Sequence, residues 1–320
     1  WTRSPIRQHR PMDATQAATP YERPAFTPWP ERDPDPLQAA ADYAARHGFT
    51  RHQQDEYARA VHARAARPDC TPSAILPLEG LLHDAYPRLL TERQASRMPV
   101  ATRPSCPVSD RGSPFSPDFA LSRLAISPQA DGAALVLMAS AEFCVRHRIK
   151  PTNHWLGGLS LGTDPENPLT GALAAAQALL QCHRLSPDAL HAVELHDAFA
   201  VQGLAFQQAL QPQGLDPERI NAWGGGLARG HPIGASGAIA LVELLARLHA
   251  AQPVPCATSV VPEKPESSGI PTAPSAAPHP VRPDMPGTEA TIMPHHPRLG
   301  LACIAGVGGL GSAALVAAHR

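Results

Sequence analysis

A histidine framed by glycines is the residue in this chain best placed to do chemistry. It lies in NAWGGGLARGHPIGASG (221–237). That spacing puts His231 on a tight turn just ahead of a helix N-terminus. Glycines there let backbone approach a ligand closely, and the helix end favours anionic groups. A second histidine, His196, ends the strand-like run AVELH (192–196) directly before a helical stretch. Strand ends ahead of helices often carry functional groups in α/β folds, although a satisfied histidine at a strand end is the plainer alternative. Cysteine offers a third chemistry. The six cysteines (Cys70, Cys106, Cys144, Cys182, Cys256, Cys303) are scattered without a CxxC pair. That argues against a disulfide scaffold or a zinc site and for a reducing, cytoplasmic compartment. Cys303, in LACIAGVGGLG, can equally be a small buried hydrophobe.

These groups need elements to hold them. At 320 residues the chain is long enough for a real core and more than one domain or subdomain. Its formal net charge of −1 lacks the basic excess of a nucleic-acid binder. No apolar run reaches the length of a membrane span. Residues 1–36 hold eight prolines and read as an extended surface segment. Asp35-Pro36 then signals a helix start and Gly48 its end. Thr50 with Gln53 forms a capping-box pattern opening a helix of about 51–66. A turn-rich stretch fills 68–118. The apolar text DGAALVLMASAEFCVRH (131–147) predicts a buried strand running into a helix. Further helices are expected near 169–182, 197–210 and 235–248. The last is apolar nearly all round, which predicts burial between layers. Its only charges are Glu243 and Arg247. Residues 252–297 carry twelve prolines and almost no large apolar side chains, so they are expected to be a disordered insertion or mobile lid. The C-terminal apolar runs around a glycine turn predict a hairpin.

The segment NAWGGGLARGHPIGASG resembles the signature of the thiolase family. Three more stretches agree in order and spacing: TRHQQDEYARAVHARA (50–65), SPQADGAALVLMASAE (127–142) and GTDPENPLTGALAAAQALLQCHRLSPDALHAVELHDAFAVQ (162–202). The resemblance covers nearly all of 1–251 and 298–320. It implies an α/β fold of the layered αβαβα kind, incomplete because most of the N-terminal core half is absent. Residues 1–118 would be the loop domain that contacts CoA, 119–150 the last part of the N-terminal core domain, and 151–320 the C-terminal domain with its proline-rich insertion. The opening WTRSP resembles the residues after the family's Gly-Gly-x-Glu-Ser motif, which places the start shortly after the missing nucleophile.

By the same resemblance, His231 activates a nucleophilic cysteine and binds the oxyanion. His196 stands where the family usually has Asn and orients a water; a His there is similar to the trifunctional-enzyme β-subunit branch and the sterol-carrier-type thiolases. Cys303 is the general acid/base that handles an α-proton. Ser127 lies near the CoA pantetheine, or is an ordinary surface serine. Two departures concern Cys303: Ala305 replaces the family's glycine, and GVGG is one or two residues too long. The nucleophile's Val-Cys-x-Ser-Gly context surrounds none of the six cysteines.

The implied reaction is 3-oxoacyl-CoA + CoA = acyl-CoA + acetyl-CoA, in fatty-acid β-oxidation, with the chain inactive as it stands. The alternatives are a biosynthetic acetoacetyl-CoA or sterol-carrier-type thiolase, or a non-catalytic acyl-CoA-binding or assembly subunit. CoA and acyl-CoA enter as substrates, with no permanent cofactor or metal. The resemblance implies a homodimer or tetramer for the complete protein and allows a β-oxidation multienzyme partner.

Overall fold

The structure is a computed structural model and describes residues 8–9, 11–13, 15–21, 25–68, 75–105, 118–250 and 297–318. Cys70, Cys106, Cys256, the WTRSP opening and residues 252–296 of the proline-rich stretch lie outside the described residues.

Local signals set the first helices. In α1 (Pro36–His47) the Asp35 carboxylate accepts from the backbone N–H of Leu37 and Gln38, and Gly48 ends the helix at φ 75°. Only a residue tolerant of the left-handed region fits that end cheaply. In α2 (Arg51–Ala65) Thr50 and Gln53 satisfy each other's backbone N–H groups. Short strands β1 (Gln8–His9) and β2 (Thr19–Pro20) pair with each other. The turn-rich stretch holds α3 (Glu92–Ser96) and β3 (Val100–Thr102), which pairs with β4 (Leu121–Ser122).

The main sheet comes from the second half of the chain: β5 (Asn153–Gly162), β6 (Leu190–Leu195), β7 (Arg298–Gly306) and β8 (Leu310–Ala318), in the order β5-β8-β7-β6. β7 and β8 form the expected antiparallel hairpin, while β6 and β7 run parallel. Parallel neighbours need a long crossover, and here it contains α6 (Ala200–Leu210), α7 (Gly226–Arg229) and α8 (Ser236–His249). Helix α5 (Gly171–Cys182) follows β5. Leu301 and Cys303 pack in one core cluster with Ala175 and Leu179 of α5 and Phe206 of α6. Between them Ala302 packs with Ala240, Leu244 and Leu248 of α8. β7 is therefore buried on both faces, which is why its sequence is an unbroken apolar run rather than an alternating one. A third cluster joins α1, α2, Leu121–Ala125 and the start of α6.

Two expectations fail. Residues 131–140 form no strand, and Leu135 and Leu137 are about 90% exposed. Only α4 (Ala141–Arg146) follows as a regular element. Among the described residues no strand pairs with this segment, so an apolar sequence alone does not make it one. Nor is α8 enclosed between layers. It buries Ser236, Ala240, Glu243, Leu244 and Leu248, while Leu241 and Leu245 are half-buried. A furrow of about 460 Å³ runs beside it, with Trp155, Gly237, Leu241, Ala302, Cys303 and Ile304 among its walls. Among the described residues no helix is long and apolar enough to cross a membrane.

Candidate active site

The site forms at the carboxyl ends of the two parallel strands. Leu195 of β6 pairs in register with Cys303 of β7, and the next residue, His196, donates its backbone N–H to the Cys303 carbonyl at 2.9 Å. Crevices at such strand ends are the usual ligand sites of open α/β sheets.

Asn221 splices the glycine loop onto this corner. Its amide brackets Leu195, accepting from the backbone N–H at 2.8 Å and donating to the carbonyl at 2.9 Å. Its own backbone N–H reaches the Val193 carbonyl at 2.9 Å. Asn221 is fully buried at φ 47°, a left-handed conformation that asparagine tolerates better than most residues. Beside it Asp197 accepts from the Tyr57 hydroxyl at 2.9 Å and the Leu227 N–H at 3.0 Å. Burial pushes the Asp197 carboxyl up to about 6. Tyr57 thereby ties α2 to the strand end.

The glycines have geometric reasons. A Cβ on Gly226 would stand 2.5 Å from Nδ1 of His196, so only glycine lets the loop pass the imidazole. Gly230 turns at φ 107°, and a Cβ there would meet that of Ala130 at 2.6 Å. The turn delivers His231, whose backbone N–H donates to Pro128 at 2.8 Å. Ser127 braces the same loop from outside, donating its hydroxyl to the Gly226 carbonyl at 2.5 Å and its N–H to Ala198 at 2.9 Å.

His196 and His231 meet ring to ring, centroids 4.2 Å apart and tilted by 37°. Ser236 Oγ, in the first turn of α8, lies 2.8 Å from His231 Nδ1. Burial holds both imidazoles neutral. His196 is lowered to about 3, first by burial and then by the neighbouring His231, and His231 is lowered to about 4 by burial. His196 Nε2 is buried without a hydrogen-bond partner. A buried polar atom left open in this way costs free energy unless water or a ligand completes it. Cys303 differs: it is 2% exposed among apolar side chains, and burial pushes its thiol far above the ordinary range, with the nearby Glu194 adding to the effect. Side chain to side chain, the structure brings His196 and His231 together. It joins Cys303 to them through the backbone and places Ser127 one loop away.

Charged residues lie beneath the pair. Arg247 bonds Glu194 at 2.5 Å. Arg229 reaches Asp84 at 2.6 Å, Glu243 at 3.2 Å and the Trp223 carbonyl at 2.6 Å. Sequence reading gave no role to Ser236, Asp197, Asn221, Tyr57 or Arg229. A faint signal existed for the first, a hydroxyl five residues after His231 in the same motif.

A mixed sheet flanked by helices, with paired histidines at parallel strand ends and a glycine loop packed on one of them, defines an α/β protein with a strand-end site. Residues 149–260 match the family description "Thiolase, C-terminal domain". YhfS of Bacillus subtilis, provisionally named an acetyl-CoA C-acetyltransferase, is 32% identical over 226 residues, 70% of this chain and 58% of its own. The acetyl-CoA acetyltransferase of Allochromatium vinosum is 31% identical over 209 residues, 64% of this chain and 52% of its own. Among solved structures, Acat5 thiolase from Ascaris suum in complex with coenzyme A superposes with a TM-score of 0.65 at 21% identity, covering 98% of this chain and 69% of that one. Human mitochondrial 3-ketoacyl-CoA thiolase in complex with CoA gives 0.58 at 21%, covering 88% and 58%. The chain belongs to the thiolase family. It spans little more than half the length of these curated relatives.

Proposed function

We propose that this chain supplies the histidine half of a thiolase centre, which moves an acyl group from the α-carbon of acetyl-CoA to a CoA thiol: 3-oxoacyl-CoA + CoA = acyl-CoA + acetyl-CoA. The supporting observation is the close pair of neutral imidazoles, His196 buried and His231 half-buried, with Ser236 on Nδ1 of His231. If Nδ1–H is donated to Ser236, Nε2 keeps its lone pair and can take the proton of a nucleophilic thiol. That thiol attacks the 3-oxo carbonyl, the C2–C3 bond breaks so that acetyl-CoA leaves as its α-carbanion and is protonated, and CoA then receives the acyl group from the enzyme sulfur. His196 Nε2, open and buried, is suited to hold a water against the oxyanion. Cys303 is the candidate to protonate the departing α-carbanion of acetyl-CoA. Ser127 sets the glycine loop at the pantetheine side, and residues 1–118 form the CoA-contacting domain. Fatty-acid β-oxidation is the proposed setting, and the complete assembly a homodimer or tetramer.

The sequence holds no cysteine in the nucleophile's context, so the test complements the chain. A thiolase N-terminal half bearing its cysteine is fused ahead of Trp1, and thiolysis of acetoacetyl-CoA and a longer 3-oxoacyl-CoA is measured. Turnover that falls at least a hundredfold in His231→Ala, about 2.7 kcal/mol, is expected. An inactive fusion together with no CoA binding by the chain itself would sink the reading. A second reading, an acyl-CoA-binding subunit without catalysis, draws on the high-lying Cys303 thiol. It predicts CoA binding that survives Cys303→Ala and a fusion that never turns over.

A further inference from the structure

Arg229 stands two residues before His231 and meets partners from three parts of the chain. Its guanidinium meets Asp84 at 2.6 Å, Glu243 of α8 at 3.2 Å and the Trp223 carbonyl at 2.6 Å. The last contact closes the glycine loop on itself, from Trp223 to Arg229. Glu243 and Ser236 lie seven residues apart on α8 and are both buried, hence on one face of the helix. Ser236 holds the His231 ring, and Glu243 stands as an ion-pair neighbour, 3.2 Å from Nε, of the arginine that carries the His231 backbone. One helix face therefore grips the histidine from both ends.

We propose that Arg229 and Glu243 are positioning residues for His231, the pair locking the glycine loop to α8 so that the imidazole meets both Ser236 and His196. The proposal rests on the reading of His231 as the reacting imidazole for its catalytic meaning, while its geometry does not depend on that reading. A burial argument supports it. Asp84 and the Trp223 carbonyl hold the buried guanidinium on the loop, so its approach to the buried Glu243 fixes where α8 meets that loop.

The charge balance makes the lock responsive to pH. Five charged groups share the region: Glu194 on β6, Glu243 and Arg247 on α8, Arg229 on α7, and Asp84 on the loop before α3. Three carboxylates oppose two guanidinium groups, and the neutral His196 lines the same small cavity as Glu194 and Glu243. Burial first, then Glu194, raises the Glu243 carboxyl to about 8. Glu243 is thus protonated near neutrality and becomes a full ionic partner of Arg229 only above that range.

The test follows the His231 Cε1–H resonance by NMR across pH in the 320-residue chain, assigned by its loss in His231→Asn. Wild type is expected to show the imidazole titrating near 4 and a smaller step near 8 from Glu243. Arg229→Gln should move the imidazole titration up by at least one unit toward the free value, and Arg229→Lys should undo part of that shift. Glu243→Gln, which can still accept a hydrogen bond, should abolish the step near 8. If these variants melt earlier while His231 titrates as in wild type, the pair is a structural brace only and the proposal is overturned. Should Arg229→Gln fail to fold, Asp84→Asn and Glu243→Gln decide, and an unchanged His231 in both overturns it equally. An inactive fusion alongside these NMR shifts would remove the thiolase reading and leave the positioning role standing.

Discussion

The corner around His196 and the segment 131–140 reverse what their sequences promise. The corner is rich in turns, with eight glycines from Gly203 to Gly237, yet side-chain hydrogen bonds tie it to distant parts of the chain. Asn221, Asp197 and His196 are buried at 0–6% exposure, and partners arrive from α2, the 84 loop and α8. The 131–140 segment has the composition of a core strand, yet Leu135, Leu137 and Met138 face outward. What separates them is partnership. Backbone polar groups and apolar side chains are stabilised only when something opposite receives them. The glycine loop has been given its partners and, among the described residues, the apolar run has not.

The sharpest way to break that contrast is to remove the splice. Asn221→Ala leaves the Leu195 N–H and carbonyl without the side chain that brackets them and puts alanine at φ 47°. Each buried group left open costs about 1–3 kcal/mol, so the expected loss is about 4 kcal/mol, read by urea unfolding. A loss below about 1 kcal/mol would show that water replaces the amide and that the corner is wetter than its burial implies.

Acid should next act on the corner selectively. The folded pKa of His231, about 4, lies below its ordinary 6.5, so its contribution to stability is present above pH 6.5 and is lost as pH falls through 4. The shift corresponds to about 3 kcal/mol. His196, lowered to about 3, acts in the same sense. Asp197, raised to about 6, acts oppositely: its contribution is full below its ordinary value of 3.8 and is lost as pH rises through 6. His231→Asn should therefore flatten the melting temperature between pH 6.5 and 4, and Asp197→Asn should flatten a decline between pH 4 and 6. Variants whose melting temperatures follow pH as the wild type's does over these intervals would contradict the burial assigned to these groups.

How far the sequence could be read follows the same division. The caps of α1 and α2 were legible because Asp35, Gly48, Thr50 and Gln53 act within three or four residues of their partners. The β7–β8 hairpin and α5, α6 and α8 were legible from apolar period and length. β5 was not, because Gly157 and Gly158 interrupt the strand at a register shift and mask its pattern. The 131–140 strand was overread, since an apolar run records a preference for burial and not the presence of a neighbour. His196 and His231 could be named as candidates, but their ring contact could not be derived. Arg229 was silent because its partner Asp84 lies 145 residues away, and no local spacing encodes such a meeting. Glu243 and Arg247, spaced as an i,i+4 pair, instead take separate partners, Arg229 and Glu194.

A smaller effect sharpens the corner's own anatomy. Ser236→Ala removes the hydroxyl at His231 Nδ1 from a buried site. The expected cost is about 1 kcal/mol, with the imidazole free to rotate and its Cε1–H line altered. Ser236→Thr should restore the line if the hydroxyl is what matters. An unchanged resonance in the alanine variant would mean that the backbone turn and the His196 contact fix the ring without the hydroxyl.

The smallest change belongs to the other region, where the prediction is near silence. Leu135→Ser and Leu137→Ser together replace two large apolar side chains, a change that would cost several kcal/mol in a core. On an exposed segment it should stay within about 0.5 kcal/mol of wild type, while lowering the chain's tendency to self-associate, since it removes apolar surface from an unpaired stretch. Urea unfolding and light scattering on the same samples check both halves of the statement. A loss above about 2 kcal/mol would mean that these leucines are covered in solution, and the contrast between a partnered loop and an unpartnered strand sequence would collapse.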